Sequence, residues 1–337
     1  MNESHKEDKM RHDLLQEFRS ITFSQAYYKI FLTLLKGKYE GSRNACQSIE
    51  TKLWDILNQS EIPSPVRIMD FGGGDGETMA PIYRKLDALN KQMIISVEEP
   101  HEDSLRKYKE LIDNTSMTCI DITYSGPFQD YYGHTLEDLR VMNAYPQHLQ
   151  DRVLALHVLY HLTSIFDDPF DPYENMKQAI SAMYTILKPG GQMIIVLEKN
   201  EFCLIGAASL KCSEVLFPHK TKNHKLLFEV WQKLLFNGGI ADILNESFPM
   251  FKASVQQEEV VHNVVLPTLE EIGIAVSIGC LHGLYADQSP FDQRILQFCV
   301  DYGKSDGYKH GLYLDSEGMW CFPLNTYYIT IQKNTNE

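Results

Sequence analysis

Apolar positions recur with two different periods along this chain, and the change from one to the other marks a change of architecture. From about Met10 to Leu57 the spacing is helical: Leu14, Leu15 and Phe18, then Phe31, Leu34 and Leu35, then Ile49, Leu53 and Leu57 fall at i, i+3 or i+4. The polar, glycine-bearing stretch from Lys36 to Ser42 interrupts the pattern as a loop. A connector with two prolines, Glu61 to Pro65, separates this helical region from the rest of the chain. Beyond it, short apolar runs alternate with helical ones. Strands are predicted at Arg67 to Phe71, Met93 to Glu98, Met117 to Ile122, Arg152 to His157 and Gln192 to Leu197. Helices are predicted at Thr78 to Leu89, Glu102 to Asp113 and Asn175 to Leu187, the last stopped by Lys188-Pro-Gly-Gly191. Such alternation implies parallel strands joined by helical crossovers.

The alternation falters over 200–265, where amphipathic pieces such as Lys225 to Leu235 around Trp231 and a turn at Asn237 to Gly239 predict an inserted helical region. Two further strands are expected in the tail, Ile274 to Cys280 and Tyr327 to Ile331. The expected fold class is therefore α/β, a Rossmann-like doubly wound sheet of seven strands with an antiparallel C-terminal strand. Four regions make it up: a helical cap over 1–60, a ligand-binding domain over 61–199, a helical insertion over 200–270 that walls the substrate side, and C-terminal strands over 271–337 that complete the sheet.

Composition narrows the function classes. The chain has 337 residues, 44% of them apolar and 23% charged, with a net charge of -14. These are ordinary globular proportions with no apolar run long enough to span a membrane, and the acidic balance with no basic cluster turns the reading away from nucleic acid. A polar N-terminus without an apolar core segment predicts no secretion signal and hence a cytoplasmic protein, expected to be a monomer. The seven cysteines are odd in number and form no C-x-x-C pair, which points to reduced thiols rather than a disulfide framework or zinc site.

Chemistry concentrates where the first predicted strand ends. Asp70 is followed by glycines at 72, 73, 74 and 76, whereas a G-x-G-x-x-G dinucleotide fingerprint needs a glycine where Glu77 stands. Asp75 and Glu77 at the start of the next helix would repel a pyrophosphate that the helix dipole otherwise attracts. The loop thus favours a ligand without phosphate. The turn resembles motif I of class I methyltransferases, whose cofactor is S-adenosylmethionine. Glu99 stands 27 residues after Gly72, at the end of the second strand, where a carboxylate can accept both hydroxyls of a ribose. At the fourth strand end, Leu156 would border the adenine while His157 and Tyr160 face the substrate. His157 and His161 have the i, i+4 spacing of a helical metal pair, but no acidic residue lies between them as in H-E-x-x-H, so no metal is expected.

The run Val97-Glu-Glu-Pro100 followed by Leu105 to Ile112, together with the loop Gly72 to Glu77, resembles the histamine N-methyltransferase family. The likeness continues at Tyr28, Phe31, Leu35 and Glu40 near the N-terminus, at Leu159-Tyr160, and at Phe322 to Thr326. It implies that Glu40 grips an amine substrate, that Asn325 contacts it and that Tyr28 stacks against it. It also implies that Asp70, Gly72, Gly73, Gly74, Gly76, Glu99, Ser104 and Leu156 hold S-adenosylmethionine, released as S-adenosylhomocysteine. The family has a glutamine where this chain has His157, and 200–265 departs from it in length and sequence. The expected activity is methyl transfer to a nitrogen of a small amine or imidazole by direct displacement, in which positioning does most of the work and His157 accepts or relays a proton. The alternatives are methylation of a hydroxyl or carboxylate of a small metabolite, and a non-catalytic cofactor- or partner-binding protein.

Overall fold

The computed structural model describes residues 50–58, 61–113, 115, 118–134, 138, 148–198, 203–250, 253–266, 268–277 and 293–334. Glu40, Tyr28 and the rest of the expected helical cap before residue 50 lie outside them; 50–57 are helical, as the spacing of Leu53 and Leu57 predicts.

The core is a sheet whose strands are β1 (Val66–Phe71), β2 (Met93–Glu98), β3 (Thr118–Tyr124), β4 (Gln150–Leu156), β5 (Leu187–Glu198), β6 (Ala253–Leu266), β7 (Tyr313–Leu314) and β8 (Trp320–Lys333). The order is β3-β2-β1-β4-β5-β8-β6, with the two-residue β7 paired to β8 off this path. β1 to β5 are parallel, and β8 runs antiparallel to both β5 and β6. This is the expected doubly wound α/β sheet with an antiparallel C-terminal strand. Strand order reverses at β1, which lies between β2 and β4, so the crevice for a ligand opens at the carboxyl ends of β1, β2 and β4. Central strands read as continuous apolar runs because both faces are covered: Ile68, Met69, Phe71, Val153, Leu154, Ala155 and Met193 to Val196 are all buried.

The helices are α1 (Ala80–Ala88), α2 (Glu102–Asp113), α3 (Pro172–Ile186), α4 (Leu204–Leu216), α5 (Thr221–Trp231), α6 (Gly239–Ser247), α7 (Glu270–Ala275) and α8 (Gln293–Asp306). Each of the first three starts for a local reason. α1 has a proline in its first turn, α2 has Glu102 and Asp103 there, and Asp171 caps α3 by accepting from the Glu174 N–H at 3.0 Å. Among the described residues no helix is long and apolar enough to cross a membrane.

Two elements differ from expectation. The region 200–270 is helical through α4 to α6, but it then contributes the 14-residue strand β6, so the sheet resumes at Ala253 rather than after residue 270. β6 lies on the sheet edge, and its Gln256, Gln257, Glu258 and Glu259 are exposed. Polar residues suit an edge that must not recruit another strand, and they hide the strand from an apolar-run search. Conversely, Ile274 to Cys280 is not a strand where it is described. Glu270–Ala275 is a helix whose residues are all buried. A Cβ on Gly273 would lie 2.8 Å from the Cα of Leu296, so the glycine lets α7 and α8 meet backbone to backbone. A short helix buried on every side has no amphipathic period to betray it.

At the end of the strands opposite the crevice, buried Asp151 near the start of β4 fastens three segments. Its carboxylate accepts the Arg67 N–H at 2.8 Å and pairs with the Lys188 ammonium. Asp151→Ala strands a buried donor and removes a charge partner, so urea unfolding is expected to show a loss of about 2–4 kcal/mol. An unchanged midpoint would refute the assignment.

Candidate functional site

The glycine loop between β1 and α1 divides into glycines that the protein needs for packing and one that it leaves open. Gly72, Gly74 and Gly76 have φ of +61°, +60° and +76°. A Cβ at Gly72 would fall 2.5 Å from Cγ2 of Val158, one at Gly73 2.6 Å from Val97 Cγ2, and one at Gly76 2.9 Å from the Tyr108 ring. Those three are small because the chain itself closes on them. At Gly74 no atom of the described residues lies within 4 Å of the added carbon. Among the loop glycines, Gly74 is the one at which the described residues leave the backbone open.

Carboxylates surround this cradle. Glu99 accepts the Gly74 N–H at 2.8 Å with one oxygen and the His101 N–H at 2.8 Å with the other, which puts its carboxyl beside the open glycine. Glu98 lies deeper and accepts the Gly72 N–H at 2.9 Å. Asp70 sits beneath the loop and takes the Tyr108 hydroxyl at 2.8 Å, and Tyr108 in turn meets the Tyr83 hydroxyl at 2.5 Å. All three acids are buried. Burial pushes Asp70 up to about 7, against the pull of the Tyr108 hydroxyl, and Glu99 adds to the rise. Glu99 is likewise pushed up to about 7 by burial, against its two backbone donors. Glu98 goes well above the ordinary carboxylate range, again through burial first and its neighbour Glu99 second. No lysine or arginine occurs between Gly72 and Glu77. The donor set suits a ligand that brings cationic groups and hydroxyls, and it opposes a phosphate. Ser104 is half-buried in the first turn of α2, and Leu156 ends β4 opposite Val196 of β5.

The third part of the site is the turn after β4. His157 is buried and holds φ +59°, a left-handed conformation that a residue with a side chain adopts at some cost. Its N–H donates to the Val196 carbonyl at 2.7 Å, and the next residue is the Val158 that packs on Gly72. The glycine loop and the His157 turn are therefore in direct contact. The imidazole Nδ1 stands 2.7 Å from Oε1 of Glu198, the last residue of β5. His161, in the 3-10 turn Leu159–His161, is pushed down to about 3 by burial and by the nearby His157, so it stays neutral. Tyr160 belongs to the same turn, and its side chain lies outside the described residues.

Asn325 is not brought to His157. Thr326 pairs with Glu198 across β5 and β8, so Asn325, its neighbour in β8, faces the other side of the sheet. There its amide donates to Glu259, which also accepts the Tyr327 hydroxyl at 2.6 Å. Glu198 is the residue that reading the sequence missed. It is 41 positions from His157, and only the parallel register of β4 with β5 puts the two strand ends side by side.

No protein-family model matches the chain, and no curated protein matches it. Similar solved structures do exist. One is a protein of Bacillus halodurans provisionally named a methyltransferase, 14% identical over 86% of this chain and 100% of that one, at a TM-score of 0.49. Another is the plantazolicin methyltransferase BpumL in complex with a triazolic desmethylPZN analog and SAH, 13% identical over 99% of this chain and 100% of that one, at 0.42. A third is the CurJ carbon methyltransferase, 12% identical over 99% of this chain and 72% of that one, at 0.42. These overlaps are too loose to transfer an activity.

Proposed function

We propose that this chain is an S-adenosylmethionine-dependent methyltransferase acting on a nitrogen of a small amine or imidazole. The observation that carries the reading is the open cradle at Gly74, placed at the topological switch point and bordered by the buried carboxyl of Glu99. The residues present fit the cofactor. Glu99 would accept ribose hydroxyls, Asp70 and the loop backbone would hold the amino-acid end, and Ser104 and Leu156 would flank the nucleoside. When bound, the cofactor supplies an electrophilic methyl group, and the protein's task is to bring the acceptor into line with it and keep water out. His157, packed against the loop through Val158, lies on the acceptor side.

Calorimetric titration with S-adenosylmethionine, followed by transfer of a radiolabelled methyl group to histamine and related amines, tests it directly. Absence of binding would end the proposal. Binding is expected to depend on pH. Asp70 and Glu99 titrate at about 7 in the free protein, and a cationic, hydroxyl-bearing ligand needs them ionised. Affinity should be full above about pH 7 and fall below it, by roughly tenfold per pH unit for each group that must lose its proton. The dissociation constant at pH 6 is expected to exceed that at pH 7.5 by about 70-fold, about eightfold for each carboxyl, and a flat profile would show that neither carboxyl meets the ligand.

A further inference from the structure

We infer that Tyr108 is the positioning residue of the loop cradle: its ring is the floor under Gly73 and Gly76, and its hydroxyl, backed by that of Tyr83, directs a proton to Asp70 and so favours the ionised form of the acid beneath the loop. The inference deepens the methyltransferase reading and rests on it for the identity of the ligand.

Three observations carry it. Tyr108 of α2 is fully buried, and its ring is what a Cβ at Gly73 would meet at 2.7 Å and a Cβ at Gly76 at 2.9 Å, so one side chain sets the height of the loop at two points. Its hydroxyl lies 2.8 Å from Oδ2 of Asp70 and 2.5 Å from the hydroxyl of Tyr83 in α1. A phenol has one proton to give. While Asp70 is ionised, Tyr108 donates that proton to the carboxylate and Tyr83 donates its own to the Tyr108 oxygen, so the two bonds point the same way and reinforce each other. An Asp70 that donates to Tyr108 reverses both bonds and needs a further acceptor for the Tyr83 proton. The third observation is the company Asp70 keeps. The groups that face it are Glu98 and Glu99 at the end of β2, Tyr83 and Tyr108, and its register partners in β2 and β4 are the apolar Val97 and Leu154. The two carboxyls oppose another negative charge, and the Tyr108 hydroxyl favours it. Burial above all holds both phenols well above their ordinary value, so they remain protonated donors where Asp70 titrates, at about 7.

Ring and hydroxyl therefore have separable effects. The ring spaces the loop at every pH. The hydroxyl matters only where Asp70 can still change its charge: a cationic ligand gains from it at a pH that would otherwise protonate Asp70, and gains nothing where the acid is ionised in any case. Tyr108→Phe keeps the ring on Gly73 and Gly76 and removes the donor. A residue that only packed would lose nothing with its hydroxyl, or would lose affinity equally at every pH.

The full chain, labelled with 13C in its aspartate carboxyls, provides a test that needs no ligand. The Asp70 resonance, assigned by its absence from Asp70→Asn, is expected to titrate at about 7 in the wild type. In Tyr108→Phe it should titrate about one pH unit higher, and in Tyr83→Phe it should move about half as far. Should Tyr108→Phe fail to fold, Tyr83→Phe, which keeps the bond from Tyr108 to Asp70, carries the test alone. An Asp70 that titrates as in the wild type in either variant overturns the inference. Calorimetry with S-adenosylmethionine then reads the cradle. Tyr108→Phe is expected to bind about tenfold more weakly than the wild type at pH 6 and within about twofold of it at pH 8.5. Equal affinity at pH 6, or the same loss at both pH values, overturns the positioning role. A wild type that does not bind S-adenosylmethionine, with the carboxyl titrations as expected, discards the methyltransferase reading and leaves the chain from Tyr83 through Tyr108 to Asp70 standing.

Discussion

Gly74→Ala is expected to leave the protein folded and to weaken S-adenosylmethionine binding about 100-fold, whereas Gly72→Ala is expected to damage the fold first. Both glycines have nearly the same positive φ, so the backbone cost of an alanine in the left-handed region, on the order of 1 kcal/mol, is common to both. What differs is the neighbourhood. At position 72 the new methyl group falls 2.5 Å from Cγ2 and 2.8 Å from Cβ of Val158, a stiff β-branched side chain that cannot rotate clear. Overpacking of this kind adds about 1–3 kcal/mol. At position 74 the methyl group meets no atom of the described residues within 4 Å and occupies the space that a ligand would need. Thermal unfolding should therefore show a clearly lowered midpoint for Gly72→Ala and a small shift for Gly74→Ala, while calorimetry shows the larger loss of affinity per unit of stability for Gly74→Ala. If Gly74→Ala bound the cofactor as wild type does, the cradle would lie elsewhere.

The contrast shows what a linear sequence can and cannot carry. Spacing identified the turn and argued against a pyrophosphate, because turn geometry and helix-terminal charge are local properties of a dozen residues. Which glycine faces a ligand was not legible, since it depends on Val158, Val97 and Tyr108 arriving from other strands and helices. The parallel strands β1 to β5 were legible as apolar runs, apart from the ends of β3 and β5. β6 was not, because an edge strand with four consecutive exposed polar residues shows no buried face there. The buried helix α7 was mistaken for a strand because Ile272, Ile274 and Val276 are β-branched and nothing polar marks a helical stripe. His157 was legible as a candidate and its partner Glu198 was not. The expectation for Asn325 followed a resemblance that β-strand alternation turns to the far side of the sheet from Glu198.

Adjacent carboxylates at the end of β2 give the second large contrast, one that their positions in the sequence could not predict. Glu99→Gln is expected to weaken S-adenosylmethionine binding about 100-fold, because an amide cannot offer two acceptor oxygens to the Gly74 and His101 N–H groups and to ribose hydroxyls, and has no charge to strengthen them. Glu98→Gln should change that affinity by less than about threefold. Glu98 sits under Gly72 rather than beside the open cradle, and burial first, then Glu99, Asp70 and Asp130, hold its carboxyl well above the ordinary range, which favours the uncharged form that glutamine mimics. Glutamine retains the carbonyl oxygen that receives the Gly72 N–H. The stability effect has a definite sign. A carboxyl with a raised folded-state pKa stabilises the fold below its unfolded value and loses that contribution as pH rises toward the folded value. Wild type and Glu98→Gln should therefore unfold alike at pH values below the ordinary carboxylate range, and the variant should become the more stable of the two as pH is raised above it. Equal midpoints above that range, or a variant that loses the cofactor as completely as Glu99→Gln does, would mean that Glu98 is ionised and turned toward the ligand, and the two residues would exchange roles.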